Sequence, residues 1–295
     1  TWFSSMKEGF DSPWDRQNYS FLMNFRLILI KLYKFKFFKR LVPSLLRKFF
    51  YKNGTNIQLE NFRINLNTKS SIDREIFLKG FYDKNKIDFI ENNVNFKSID
   101  YFLDIGAYIG YYSLYFNSKY KNIKILTFEP ILESFNQIKK SLKLNFEHNI
   151  TPYNLALSDT KGVDKSWVTD LNKKSGFSIY DKEDLDREVN SHNYSLHNIE
   201  YQEIKKDSLD NLINLQNKNL IFKIDVERHE LKTIKGAKRI LSMSNNKIFI
   251  QVEIVDNLKE ETINLLKEYG FNVIGFIKPD DKRGGTDYYL KNYDK

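Results

Sequence analysis

Apolar positions along this chain change their spacing twice. Over residues 21–50, Phe, Leu and Ile are interrupted by a charge every few residues, and no stretch approaches the roughly 18–20 uncharged residues of a spanning helix. Pro43 is expected to divide this segment into two short helices. Ile57, Leu59, Phe62, Ile64 and Leu66 then fall at two-residue spacing on either side of residues 60 and 61, predicting two short strands or a bent one. Ser71 and Asp73 offer a cap for a helical stretch to about Asn93. Beyond that, short apolar runs at 99–105, 123–128, 150–156, 220–226, 248–255 and 271–277 alternate with helix-length amphipathic segments. Such alternation predicts an α/β, doubly wound, mostly parallel sheet covered by helices on both faces. Residues 163–200 are polar, poor in aliphatic periodicity, and expected to form an insertion over the edge or mouth of the sheet.

The 295 residues suffice for one α/β domain with additions. No cysteine is present, which excludes disulfides, thiolate zinc sites, iron–sulfur clusters and a cysteine nucleophile. The net charge of +9 is local. Between Arg16 and Leu59 there is no acid, but Arg16, Arg26, Lys31, Lys34, Lys36, Lys39, Arg40, Arg47, Lys48 and Lys52 supply ten bases, leaving 37 basic against 38 acidic residues elsewhere. The chain therefore divides into a basic, aromatic-rich extension, 1–55, and a near-neutral domain, 56–295. A helical cap on the core, a nucleic-acid contact and an interfacial segment on anionic lipid compete to explain 21–50, and the last uses both its charge and its apolar content. No secretory leader pattern is visible.

Chemistry concentrates where strands end. Asp104-Ile-Gly106-Ala-Tyr108-Ile-Gly110 closes the run 99–105 and opens a helix, the position at which doubly wound sheets bind ligands. Its D-x-G-x-x-x-G spacing is neither the dinucleotide nor the phosphate-loop fingerprint, which disfavours NAD and ATP. Glu129 closes the next run, 23 residues after Gly106, suited to accept from two vicinal ribose hydroxyls. Asp225 sits at the end of 220–226, Glu227, His229 and Glu230 follow it, and Glu253 sits near the end of 248–255. All would share one rim if 220–226 neighbours the first strand.

Together with Phe128-Glu-Pro130, Asn154-Leu-Ala-Leu-Ser-Asp159, Lys223-Ile-Asp-Val-Glu227, Gly236-Ala237 and Val252-Glu253, the loop at 104–113 resembles the FkbM family of S-adenosylmethionine-dependent methyltransferases over about residues 72–292. The resemblance implies a class I methyltransferase fold, Rossmann-like with a seven-stranded sheet, S-adenosylmethionine as cofactor and, for most members, O-methylation of a sugar, glycan or secondary metabolite. It implies that Asp104, Gly106 and Gly110 shape the methionine and ribose side of the pocket, that Glu129 holds the ribose, and that Ala156, Ser158 and Asp159 lie near the adenine. Tyr108 and Tyr111 either face the sulfonium or belong to the core. Asp225, His229 and Glu227 are the candidates for the base that takes the acceptor's proton, while His148, His192 and His197 read as surface. Oxygen ligands for a metal exist in Asp225, Glu227 and Glu253, but no spacing requires one. The family usually has glycine where Arg228 stands, which bears on loop shape and acceptor. An RNA methyltransferase gripping phosphates through the basic segment is an alternative, without an Asn-Pro-Pro-Tyr or Asp-Pro-Pro-Tyr signature to support it. A binding module that kept the fold without activity is another. The expected location is cytoplasmic, peripheral on the inner membrane face if 21–50 anchors there.

Overall fold

The computed structural model describes residues 24–49, 54–146, 149–169, 178–179, 199–279 and 285–293. Helices α1 (24–33) and α2 (Phe38–Phe49) precede a hairpin of β1 (Thr55–Gln58) and β2 (Arg63–Leu66), then α3 (Ser71–Lys79) and α4 (Lys84–Asn93). Next come β3 (Tyr101–Ile105), α5 (Tyr111–Lys119), β4 (Lys124–Phe128), α6 (Leu132–Asn145) and β5 (Ile150–Tyr153). A smaller sheet uses β6 (Ala156–Leu157), β7 (Gly162–Thr169), β8 (Ser178–Ile179) and β9 (Ile199–Asp207). The chain continues through α7 (Leu209–Leu212), β10 (Asn219–Ile224), α8 (Glu230–Lys235), α9 (Lys238–Leu241), β11 (Lys247–Ile254), α10 (Lys259–Glu268), β12 (Asn272–Ile277) and β13 (Thr286–Lys291).

The main sheet has seven strands in the order β12-β13-β11-β10-β3-β4-β5. It is parallel from β11 to β5, with β13 antiparallel to both neighbours. Successive residues of its strands alternate between two cores. Phe102, Ile221, Phe249 and Tyr289 join α1 to α5 and the hairpin on one face, while Leu103, Phe222, Ile250 and Leu290 join α7 to α10 on the other. With both faces covered, a strand must be apolar at nearly every position.

Several expectations shift. The helical stretch from 71 is two helices, capped one residue earlier than expected by Ser70, and α3 closes at Gly80, whose φ of 82° is the left-handed conformation that ends a helix. Pro43 lies inside α2. The break between the first two helices falls at 34–37, in turns closed by bonds such as Phe35 N–H to Leu32 O, and Leu29, Val42 and Leu46 enter one core. The run 150–156 splits, because Ala156 leaves the main sheet to pair with Lys206 of β9. The described ends of 163–200 are strands, not open loop. Residues 170–177 and 180–198, with His192 and His197, lie outside the described residues, as do 1–23, 50–53 and His148.

Candidate functional site

Register brings the motifs together. β10 pairs with β3 so that Lys223 lies beside Asp104 and Ile224 beside Ile105, and the Asp225 N–H donates to Ile105 O at 3.0 Å. The Gly106 and Ala107 N–H groups both donate to Phe128 O at 3.0 Å, and Glu129 N–H donates to Tyr153 O. The loops after β3, β4 and β10 therefore meet at the carboxyl ends of the sheet.

Asp104 shapes this rim from below. It is fully buried, and its Oδ2 accepts from the Ser113 N–H at 3.1 Å and the Ser113 hydroxyl at 2.7 Å, tying β3 to the start of α5. Burial raises its carboxyl, against the pull of the Lys223 ammonium. That ammonium lies 3.7 Å from Asp104 Oδ1 and 3.4 Å from Asp225 Oδ2 and donates to Gly106 O at 2.8 Å. Gly106 is required by the protein's own backbone: a Cβ there would stand 1.8 Å from Asp225 O. Gly110, with φ 76°, supplies the left-handed turn into α5.

Glu129 is the centre of the next loop. Its Oε2 accepts from the Tyr108 N–H and its Oε1 from the Ile131 N–H, each at 2.8 Å. Burial pushes this carboxyl up to about 7, opposed by those two N–H groups. Each oxygen keeps a second lone-pair site. Tyr108 itself has φ 53° and donates its hydroxyl to Asp73 Oδ1 at 3.0 Å. Tyr111 is core: its hydroxyl accepts from the Tyr82 N–H at 3.1 Å and its ring meets Phe62 edge-on.

His229 is buried at the start of α8, its Nε2 3.1 Å from the Ser158 hydroxyl, which donates to Asp159 Oδ1 at 3.2 Å. Burial, then Lys232 and Lys206, lowers its imidazole to about 4, so it is neutral. The ring is thus tied to the residues after β6. Ala156 is buried on β6, and Gly236 passes so close that a Cβ would lie 1.9 Å from Ser158 O. Glu227 and Arg228 both adopt positive φ, 51° and 76°, which explains why glycine suits position 228; Arg228 holds it with its N–H on Glu230 Oε1 at 3.1 Å.

The structure adds groups that the motifs did not contain. Lys86, from α4, lies 2.7 Å from Asp287 Oδ2, 3.3 Å from Glu253 Oε2 and 3.7 Å from Asp83 Oδ2. Burial raises Asp83 to about 6, and burial with the nearby Asp225 charge raises Glu253 to about 7. Asp225, with its side chain a third exposed, opens this acidic rim to solvent. Asp73, Asp83 and Lys86 come from before the loop motifs and Asp287 from a strand that otherwise reads as structural; local sequence carries no signal for any of them. Among the described residues, no group of His, Asp and Glu is arranged to hold a metal ion.

A seven-stranded sheet in this order, with acidic residues and a glycine loop at its carboxyl rim, is the architecture of class I methyltransferases. The model of the methyltransferase FkbM domain matches residues 104–273, more than half of the chain, and the chain belongs to that family. Solved structures that the chain is similar to include methyltransferase FkbM from Methylobacillus flagellatus KT, at 17% identity over 65% of this chain and 44% of that one, TM-score 0.43. TYW2 from M. jannaschii, in complex with AdoMet, shares 13% identity over 81% of this chain and 84% of its own, TM-score 0.39. The human methyltransferase 10 domain containing protein shares 13% over 87% and 96%, TM-score 0.41. The chain spans less than half the length of the Methylobacillus protein. No curated protein matches the sequence.

Proposed function

We propose that this chain is an S-adenosylmethionine-dependent methyltransferase that methylates a hydroxyl of a sugar, glycan or secondary metabolite. The observation that carries the cofactor assignment is Glu129, a buried carboxylate at the end of the second central strand whose two oxygens are oriented by backbone N–H groups. Its remaining acceptor sites suit a vicinal diol. Asp159, exposed after β6 and held by the buried Ser158 and His229, is the polar group offered to the adenine. S-adenosylmethionine, when bound, supplies an electrophilic methyl group on a sulfonium.

The chain's own residues must hold an acceptor oxygen in line and receive its proton. Asp225 and Glu253 are the groups proposed for this. Lys223 orients Asp225, and Glu253, raised to about 7, is matched to accepting a proton near neutral pH. Asp83, held by Lys86, is a further acceptor for a hydroxyl of a polyol, while the buried Asp287 anchors that lysine. Titration calorimetry with S-adenosylmethionine, NAD and RNA, followed by methyl-transfer assays on sugar and hydroxylated small-molecule acceptors, tests the reading. Binding of S-adenosylmethionine alone among the three, and transfer to oxygen, is expected. Binding of NAD instead, or transfer to RNA, would overturn it.

A further inference from the structure

The first two helices cap the core with one face and leave the other unused. Leu29, Val42 and Leu46 are buried against the hairpin and α3, and Arg26 is turned inward, donating from Nε to Phe77 O at 2.7 Å with its guanidinium over the Phe77 ring. Phe25, Leu32, Tyr33 and Phe38 pack against the same core. On the outer face, Phe37 is 82% and Phe35 64% exposed, with Leu27, Ile28, Leu41 and Leu45 beside them also open to solvent. Lys34, Lys36, Lys39 and Arg40 are exposed around the two phenylalanines, and Lys31 lies on the outward stripe of α1.

A core cap needs none of these outer apolar groups. An aromatic ring costs least where its apolar body leaves water while adjoining cations stay at a polar boundary, which is the membrane interface. The charge fixes the sign of the lipid, because there is no acid between Arg16 and Leu59 to offset the bases. No helix among the described residues is long and apolar enough to cross a membrane, so the geometry suits lying on a bilayer. We propose that the outer face of α1, α2 and the turn between them binds an anionic lipid bilayer, Phe35 and Phe37 entering the headgroup boundary while Lys34, Lys36, Lys39 and Arg40 meet lipid phosphates. This inference stands on the surface alone and is independent of the reaction.

The test is co-sedimentation of the full chain with phosphatidylcholine vesicles and with vesicles containing about one third phosphatidylglycerol. Binding to the anionic vesicles only, weakened by 0.5 M salt, is expected. Phe35→Ser with Phe37→Ser should reduce it at least about tenfold. Lys34→Gln, Lys36→Gln and Lys39→Gln together should reduce it by about a hundredfold, at roughly fivefold per base. All five positions are exposed, so circular dichroism and thermal melting should match the parent protein and certify the fold. No binding, equal binding to neutral vesicles, unchanged binding by the variants, or displacement from vesicles by competing RNA would overturn the proposal. So would loss of a dimer, rather than of vesicle binding, in the phenylalanine variant.

Discussion

Tyr108 holds Glu129 and Asp73 at once, donating its backbone N–H to Glu129 Oε2 at 2.8 Å and its hydroxyl to Asp73 Oδ1 at 3.0 Å. A non-glycine residue at φ 53° costs about 1–2 kcal/mol, and these two bonds at opposite ends of the residue offset it. Asp73 belongs to α3, upstream of residues 104–273, and also accepts from Gln137 on α6 at 2.7 Å. The N-terminal part of the domain thereby fixes the position of the carboxylate proposed to hold the ribose.

Tyr108→Phe should raise the Kd for S-adenosylmethionine several-fold and leave kcat at saturation nearly unchanged, since the lost hydroxyl acts only through the loop. Glu129→Ala should raise it far more, as each charge-assisted hydrogen bond contributes about 1.5–3 kcal/mol at most. Calorimetric Kd values equal to the parent in both variants would remove Glu129 from the site.

Cofactor affinity should depend on pH. Glu129 carries a proton below about 7 because burial disfavours its charge, whereas ribose hydroxyls donate to the ionised form. Affinity is therefore expected to rise from pH 6 to pH 8, by about tenfold at most per unit below 7, with a proton released on binding at pH 6. Calorimetry in buffers of different ionisation enthalpy reads that proton directly. Glu129→Gln should abolish the release, and an affinity flat across this range would contradict the assignment.

How much of this was legible depends on distance along the chain. Asp104, Glu129 and Asp225 stand out because each stands at the end of a short apolar run, and Phe102 with Leu103 or Phe222 with Lys223 and Ile224 sit in strands whose apolar density betrays burial on both faces. Asp73, Asp83, Lys86 and Asp287 do not stand out, because only packing of α3, α4 and β13 on the rim makes them neighbours. β9 carries little apolar signal for another reason: its sequence, Ile-Glu-Tyr-Gln-Glu-Ile-Lys-Lys-Asp, belongs to a small sheet with few buried positions. Gly106 was legible as a special residue, but its neighbour, the Asp225 carbonyl, was not.

Gly106→Ala should accordingly destabilise the protein before it affects any ligand. A methyl group 1.8 Å from a backbone oxygen cannot be accommodated without moving β10 away from β3, and φ 75° disfavours any side chain. A large fall in Tm or insoluble expression is expected. A well-folded variant with normal melting and selectively lost cofactor binding would show that the close approach is relaxed in solution.

Glu230 provides a stability test in the opposite sense. It is buried, its Oε2 has no hydrogen-bond partner, and burial raises its carboxyl to about 8. A folded-state value above the unfolded one of about 4.3 means that the native protein holds the proton more tightly, so this contribution is complete below pH 4 and is lost as pH rises through 8. Glu230→Gln removes the ionisation while keeping an acceptor for the Arg228 N–H. Its Tm should exceed that of the parent most at pH 8 and above, by less at pH 6, and nearly equal it at pH 4. Parallel pH–Tm curves would show that Glu230 ionises freely.

Asp225 and Glu253 are separable as proton acceptors at saturating cofactor, where the titration of Glu129 no longer enters the rate. If Glu253 takes the proton, kcat should rise with pH through about 7, its folded-state value, because a base works only when deprotonated. Glu253→Gln would then lower kcat by about 10²-fold or more and erase that rise. The substitution leaves Lys86 paired with Asp287 and Asp83, so the rim should stay assembled. If Asp225 is the base, Asp225→Asn should bring the 10²-fold loss while cofactor Kd stays within a few-fold, and Glu253→Gln should retain most of the parent rate. A collapse of cofactor affinity in Asp225→Asn with normal turnover at saturation would place Asp225 among the cofactor's ligands. Unchanged kcat in both variants would exclude this acidic rim from the proton transfer.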